Sequence, residues 1–308
     1  MKIPSDLYFS FVDNCGICGQ SNQRTIKQGK SIMIKRLLTI QDVSCVGQCS
    51  ATVALPVVSA CGVECAVLPS AVLSNHTGGF SAWTFRDLTD EMPRIEAEWQ
   101  RQKITFDAFY TGYVCPSQIE PILSIFKTCA APGAVRFVDP VMADNGRLYT
   151  GFGPDFPAQM ARLCAGADYI LPNLTEAAFL LGREPVLDGY DRAFVEGMVA
   201  GLHALGAKNV VLTGVSFDPD FLGVAVSDGS KVEYDFNGRL ARTSHGTGDV
   251  FASAFAGAVM RGMGALDAAA LAADVVCAAI EATPDDHWYG VQFERALPMM
   301  VERIGIEN

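Results

Sequence analysis

From Arg36 onward, short apolar runs alternate with longer amphipathic windows, and this alternation constrains the chain more than any other feature. The runs fall at Leu37–Ile40, Glu64–Leu68, Ala108–Thr111, Val135–Asp139, Tyr169–Leu171 and Val210–Thr213. Each is apolar on both faces, as a parallel strand covered by helices on both sides must be. Between them lie windows of helical character near 50–60, 91–103, 117–130, 155–165, 174–182 and 190–206. The pattern predicts an α/β fold, a doubly wound and mostly parallel sheet with helices on both faces. Residues 221–236 read differently: two strands around Ser227-Asp228-Gly229-Ser230 predict a β-hairpin. The stretches 247–281 and 291–304 read as helical. With no internal repeat and no low-complexity linker, the simplest parse is one domain over 35–308 behind an extension. That extension, residues 1–34, is polar and aperiodic, with Gln20, Ser21, Asn22, Gln23 and Arg24 in a row. It is expected to be poorly ordered and to contribute little.

Composition narrows the function. The net charge of −11 repels phosphate backbones and acidic lipid surfaces, so neither nucleic acid nor a membrane is an expected partner. A small anion is still admissible, because a helix N-terminus binds phosphate inside an acidic protein. The most apolar late stretch, 250–280, is interrupted by Arg261, Asp267 and Asp274, which rules it out as a span. Ten cysteines in 308 residues are too sparse for a disulfide scaffold, and no secretory signal is visible, so a cytoplasmic location is expected.

Polar residues recur where the strands end: Asp42, Thr111, Asp139, Asn173 and Thr213. Ligands of open α/β sheets bind just outside those carboxyl ends. The sharpest local signal is Gly246-Thr247-Gly248-Asp249 ahead of a long helix of small residues. Its glycines allow close approach and leave the helix-start N–H groups free to hold an anion. Asp249 beside them suits a base for an acceptor hydroxyl, or else serves as an ordinary first-turn acid. Asp139, Asp144 and Glu176 offer hard oxygen ligands for Mg²⁺. Asn173 with Glu176 three residues later also has the spacing of a capping box, and both uses are compatible.

These segments resemble the ribokinase-like superfamily and, within it, the pyridoxal/pyridoxamine kinases, over about residues 35–304. The resemblance is carried by Gly246-Thr247-Gly248-Asp249, by Asn173-Leu174-Thr175-Glu176, and by Asp139-Pro140-Val141-Met142 with Asp144. Ser74-Asn75-His76-Thr77 and Thr111-Gly112-Tyr113 are similar to segments near the pyridine ring in the vitamin-B6 branch. It implies a kinase that phosphorylates the 5′-hydroxymethyl group of pyridoxamine or pyridoxal with ATP. In that reading Asp249 is the base and the backbone of Gly246, Thr247 and Gly248 is the anion hole. Asn173, Thr213 and Asp144 contact nucleotide phosphates; Glu176, Asp139 and Asp144 serve Mg²⁺, with a monovalent cation also admitted. Thr77 and Tyr113 line the vitamer side, and a homodimer is implied. Two departures stand out. The first strand of the family usually ends in a serine against the ring, where this chain reads Ile40-Gln41-Asp42-Val43-Ser44, so Asp42 or Ser44 takes that place. A carboxylate there suits a protonated amine or pyridinium. Leu171 replaces a hydroxyl found before Pro-Asn in some relatives, removing a phosphate contact. The alternatives are a hydroxymethylpyrimidine kinase and a non-catalytic vitamer-binding protein of the same fold.

Other signals read as incidental. Gly29-Lys30-Ser31 lacks the upstream glycine and strand of a phosphate loop, and Cys15-Gly16-Ile17-Cys18 lacks a second ligand pair for zinc. Cys45/Cys49 and Cys61/Cys65 have the spacing of one helix face, with core packing the expected use. His203 is expected at the surface, His76 and His245 flank the proposed site, and Trp83, Trp99 and Trp288 are too dispersed for a stacking platform.

Overall fold

Nine strands form the central sheet, in the order β11-β10-β9-β8-β5-β4-β1-β2-β3. In chain order the strands of the computed structural model are β1 (Arg36–Ser44), β2 (Glu64–Leu73), β3 (Phe85–Asp87), β4 (Phe106–Thr111), β5 (Ala130–Val138), β6 (Ala143–Asp144), β7 (Arg147–Leu148), β8 (Tyr169–Ile170), β9 (Asn209–Val215), β10 (Phe221–Ser227) and β11 (Val232–Gly238). The helices are α1 (Ala51–Ala60), α2 (Met92–Gln102), α3 (Ile119–Thr128), α4 (Phe156–Cys164), α5 (Leu174–Leu180), α6 (Arg192–Ala204), α7 (Thr247–Met260), α8 (Ala265–Ala282) and α9 (Leu297–Ile304). The structure describes residues 35–242 and 244–305. The expected N-terminal extension, with its Gly29-Lys30-Ser31 and Cys15/Cys18 pair, lies outside them.

β2, β1, β4, β5, β8 and β9 run parallel. The predicted hairpin forms as β10–β11 and joins the edge antiparallel to β9. Strand alternation sends Leu38, Ile40, Phe109 and Val138 into one core with α2–α6, and Leu37, Ala108, Tyr110 and Phe137 into a second core with α1 and α7–α9. Both faces are covered, as the two-sided apolar runs require. α7 is buried along nearly its whole length, which is why its sequence lacks a polar stripe.

Several expectations need correction. The helical stretch 247–281 is two helices, broken at Arg261-Gly262-Met263-Gly264, where paired glycines weaken the helix. Of 291–304 only α9 is α-helical, after a 3-10 turn at Phe293–Arg295. β3 was not legible, because its three residues are all exposed and pair with β2 only through tertiary folding. Neither cysteine pair shares a helix: Cys45 and Cys49 sit in the loop after β1, while Cys61 ends α1 and Cys65 lies in β2. The eight described cysteines are free. His203 is half-buried, its ring nitrogens 3.0 Å from the Ala207 carbonyl and 3.0 Å from Ser227 Oγ. Among the described residues no helix is long and apolar enough to cross a membrane.

Candidate active site

The sheet order turns the scattered polar strand ends into a row. Thr213 of β9, Asn173 after β8, Asp139 after β5, Thr111 of β4 and Asp42 of β1 belong to consecutive neighbours. Backbone bonds fix this row: Thr213 N–H donates to Pro172 O at 2.9 Å, and Asp139 N–H to Thr111 O at 3.0 Å. Four strand spacings of about 4.8 Å separate its ends by roughly 19 Å, room for a polyphosphate at one end and a ring at the other.

The start of α7 stands over this row. Gly246 has φ 80°, and a Cβ there would lie 1.9 Å from the Gln48 carbonyl oxygen, so the position admits glycine alone. Val250 N–H donating to Gly246 O at 3.1 Å begins the helix. The N–H groups of Thr247, Gly248 and Asp249 therefore have no intrahelical acceptor and form the positive end of the helix dipole. Asp249, half-buried, has its pKa pushed up to about 7 by burial; the Ser50 N–H aimed at it pulls down, and the charge of Asp42 pushes up. A carboxylate titrating there is poised to accept a proton near neutral pH.

The Asn173–Glu176 capping box forms as its spacing predicts. Asn173 Oδ1 accepts from Glu176 N–H at 2.9 Å, and Glu176 Oε2 accepts from Asn173 N–H at 2.9 Å. Glu176 Oε1 also accepts from Met142 N–H at 3.1 Å, and Asn173 Nδ2 donates to Ala143 O at 2.9 Å, which docks the small β6–β7 hairpin on α5. Burial raises the pKa of Glu176 despite these donors. Asp139, 7% exposed, is raised well above the carboxylate range by burial and then by the charges of Glu176 and Asp249. Thr213 lies beside Asn173 in a parallel bridge.

The three expected Mg²⁺ carboxylates do not converge as one ligand group among the described residues. Asp144 is exposed and accepts from its neighbour Asn145, from N–H at 2.8 Å and from Nδ2 at 3.0 Å, while both Glu176 oxygens are taken by backbone donors. Capping geometry and turn formation outcompete a preformed cage. The donor chemistry nonetheless fits a hydrated divalent cation: Asp139, Glu176 and Asp249 are crowded acids, and no described Arg or Lys forms an ion pair with them.

At the other end of the row, β1 runs past its expected limit to Ser44. A register irregularity against β2 between Gln41 and Val43 brackets Asp42; such bulges re-aim side chains. Asp42 is 4% exposed and accepts from Ser44 Oγ at 2.8 Å, so the two candidates for the ring-side place act together. Burial raises its pKa, and its charge reaches Tyr113, Cys115, Cys49 and Asp249. Tyr113 is half-buried with its ring 5.3 Å from that of Phe152. Thr77 is exposed in the β2–β3 loop, whose His76 ring sits 5.6 Å from His245, just before the glycine turn.

Ser50, Gln48, Tyr110 and Ser253 lie outside the sequence reading, which takes in Thr111 and Gln41 only as strand-end residues. Ser50, at the start of α1, lies beside Asp42 and Asp249. Gln48 braces the glycine turn, its Nε2 3.0 Å from each Glu294 oxygen and its Oε1 2.9 Å from His287 Nε2. Gln41, Tyr110, Thr111 and Ser253 place buried oxygens without a hydrogen-bond partner among the described residues, making a polar floor beneath the acids. The one available signal was polarity inside otherwise apolar strands, at Thr39, Gln41 and Tyr110.

Comparison with known proteins agrees with this geometry. A sequence model of the family described as phosphomethylpyrimidine kinase matches residues 54–290. A pyridoxal kinase of Dictyostelium discoideum is 28% identical over 213 residues, 67% of this chain and 68% of that protein. A Bacteroides thetaiotaomicron protein described as a phosphomethylpyrimidine kinase, crystallised with pyridoxal, superposes with TM-score 0.82 at 34% identity, covering 87% of this chain and 96% of that one. Pyridoxal kinase from Lactobacillus plantarum superposes with TM-score 0.81 at 32% identity over 87% and 97% of the two chains. The chain belongs to the phosphomethylpyrimidine kinase family, on the pyridoxal kinase side of the ribokinase-like superfamily.

Proposed function

We propose that this chain transfers the γ-phosphoryl group of ATP to the 5′-hydroxymethyl group of a vitamin-B6 ring. The observation that carries the reading is Asp249, raised to about 7 at the N-terminus of α7, above a row of polar strand ends. Its carboxylate takes the hydroxyl proton as the oxygen attacks phosphorus. The N–H groups of the Gly246-Thr247-Gly248 turn hold the oxygens of the phosphoryl group in flight, where charge develops. Asn173 and Thr213 position the nucleotide phosphates, and Tyr113, Thr77, Asp42 and Ser44 orient the ring. Asp139, Glu176 and Asp144 would hold Mg²⁺ through oxygen and water; the ion, when bound, neutralises phosphate charge. Positioning and neutralisation make up most of what phosphoryl transfer needs. A homodimer in the cytoplasm completes the reading; the resemblance supports the first and the free cysteines the second.

The family description also suits a hydroxymethylpyrimidine kinase, which would share the phosphate end and differ at the ring. ADP release measured on pyridoxamine, pyridoxal and hydroxymethylpyrimidine separates the two: the B6 reading expects the higher kcat/KM on a vitamer. Release on none of the three would leave a non-catalytic binding protein.

A further inference from the structure

We propose that Asp42 reads a positive charge on the substituent of the substrate ring, selecting an aminomethyl pyridine over its neutral hydroxymethyl counterpart, and that Ser50 ties this recognition to Asp249. The inference rests on the kinase reading above and names the substrate class of the same site.

Asp42 is a buried carboxylate whose direct partner is a hydroxyl, at 2.8 Å. None of the ion pairs among the described residues includes it. Its neighbours Tyr113, Cys115 and Cys49 are neutral, and Asp249 carries the same sign. A buried charge without an opposite partner is strongly disfavoured unless a ligand supplies one. At neutral pH an aliphatic amine is protonated and supplies it; a hydroxymethyl group does not.

Ser50 gives the second strand of the argument. It lies at φ 52°, ψ −134°, in backbone space that glycine favours and a side chain strains. Serine is among the best N-cap residues, yet here the side chain makes no cap bond to α1. The residue is 6% exposed and lies beside both Asp42 and Asp249, close enough to act on the charge of each. A buried residue with a strained backbone and no cap bond, set beside both acids, is a positioning element between the ring end and the base.

The test is steady-state kinetics of the full chain with MgATP on pyridoxamine and pyridoxine, for wild type, Asp42→Asn, Ser44→Ala and Ser50→Gly. In Asp42→Asn the pyridoxamine-to-pyridoxine ratio of kcat/KM should fall by about 10- to 100-fold, mainly through KM, as expected for losing one charge-assisted bond. Ser44→Ala should move it the same way by less, and keeps the test alive if Asp42→Asn fails to fold. Ser50→Gly should lower the ratio while raising the melting temperature, since glycine relieves the backbone. An unchanged ratio overturns the proposal. So does an equal loss on both vitamers, which would place the contact at the ring nitrogen. Wild-type turnover of neither vitamer would instead sink the kinase reading, and calorimetric binding of the two vitamers to wild type and Asp42→Asn would then decide Asp42 alone.

Discussion

The two ends of the site are built from different materials. Around Asn173, Glu176 and Gly246 the donors are backbone: N–H groups capped by side chains, a glycine turn pressed on the Gln48 carbonyl, and helix-start N–H groups with no intrahelical acceptor. Around Asp42 they are side chains: a hydroxyl on a carboxylate, a strained serine, aromatic rings and a loop meeting His245. Backbone donors are the same for any substrate that carries phosphate, whereas side chains decide which ring enters. On the proposed function, the contrast teaches that the phosphate end constrains chemistry and the ring end constrains identity.

The most direct attack on the phosphate end is Asp249→Asn. It keeps the shape and removes the base, so turnover should drop by about two orders of magnitude or more with ATP affinity nearly intact, read by kcat and by nucleotide titration. Unchanged turnover would remove Asp249 from the mechanism. Next in size, Gly246→Ala forces a Cβ onto a carbonyl at a φ of 80°. A cost of about 1–3 kcal/mol is expected, with a lower melting temperature and a loss of kcat as the N–H groups turn away. Equal stability and activity would show that the turn is not held against Gln48.

The smallest effect tests whether the acids are crowded. Asp249 near 7, with Asp139 and Glu176 also raised, means that the folded chain binds protons that the unfolded chain, with carboxylates near 4, does not. Stability of the ligand-free protein should therefore fall as pH rises from about 6 to about 8. His76, lowered by burial, acts oppositely as pH rises toward the ordinary histidine value, and the raised carboxylates outnumber it. Thermal melts across the interval should show the decline, and Asp249→Asn should flatten it; a rising curve would contradict the crowding.

Legibility followed the same division. Asn173-Leu174-Thr175-Glu176 could be read as a cap because its partners are three residues apart, and the glycine turn because no other residue takes that backbone. Of the Asp139–Asp144–Glu176 set, polarity at strand ends was visible, but not that Met142 and Asn173 N–H groups occupy Glu176 or that Asp144 faces Asn145. β3 and the break at Gly262 show the same limit in the fold, one set by pairing with β2 across a long loop and the other by a local signal passed over. Ser50 carried no signal, since a positive φ at a serine is set by tertiary packing and not by its sequence neighbours.

Sequence alone determined the parallel sheet, the two buried helix layers and the glycine turn at the head of α7, because periodicity and glycine act over a few residues. Only the tertiary structure set the strand order that lines up Thr213, Asn173, Asp139, Thr111 and Asp42, and brought Ser50 near two of the acids. Those arrangements depend on contacts between residues far apart in the chain, and burial, which raises the carboxylates, exists only once the chain has closed around them.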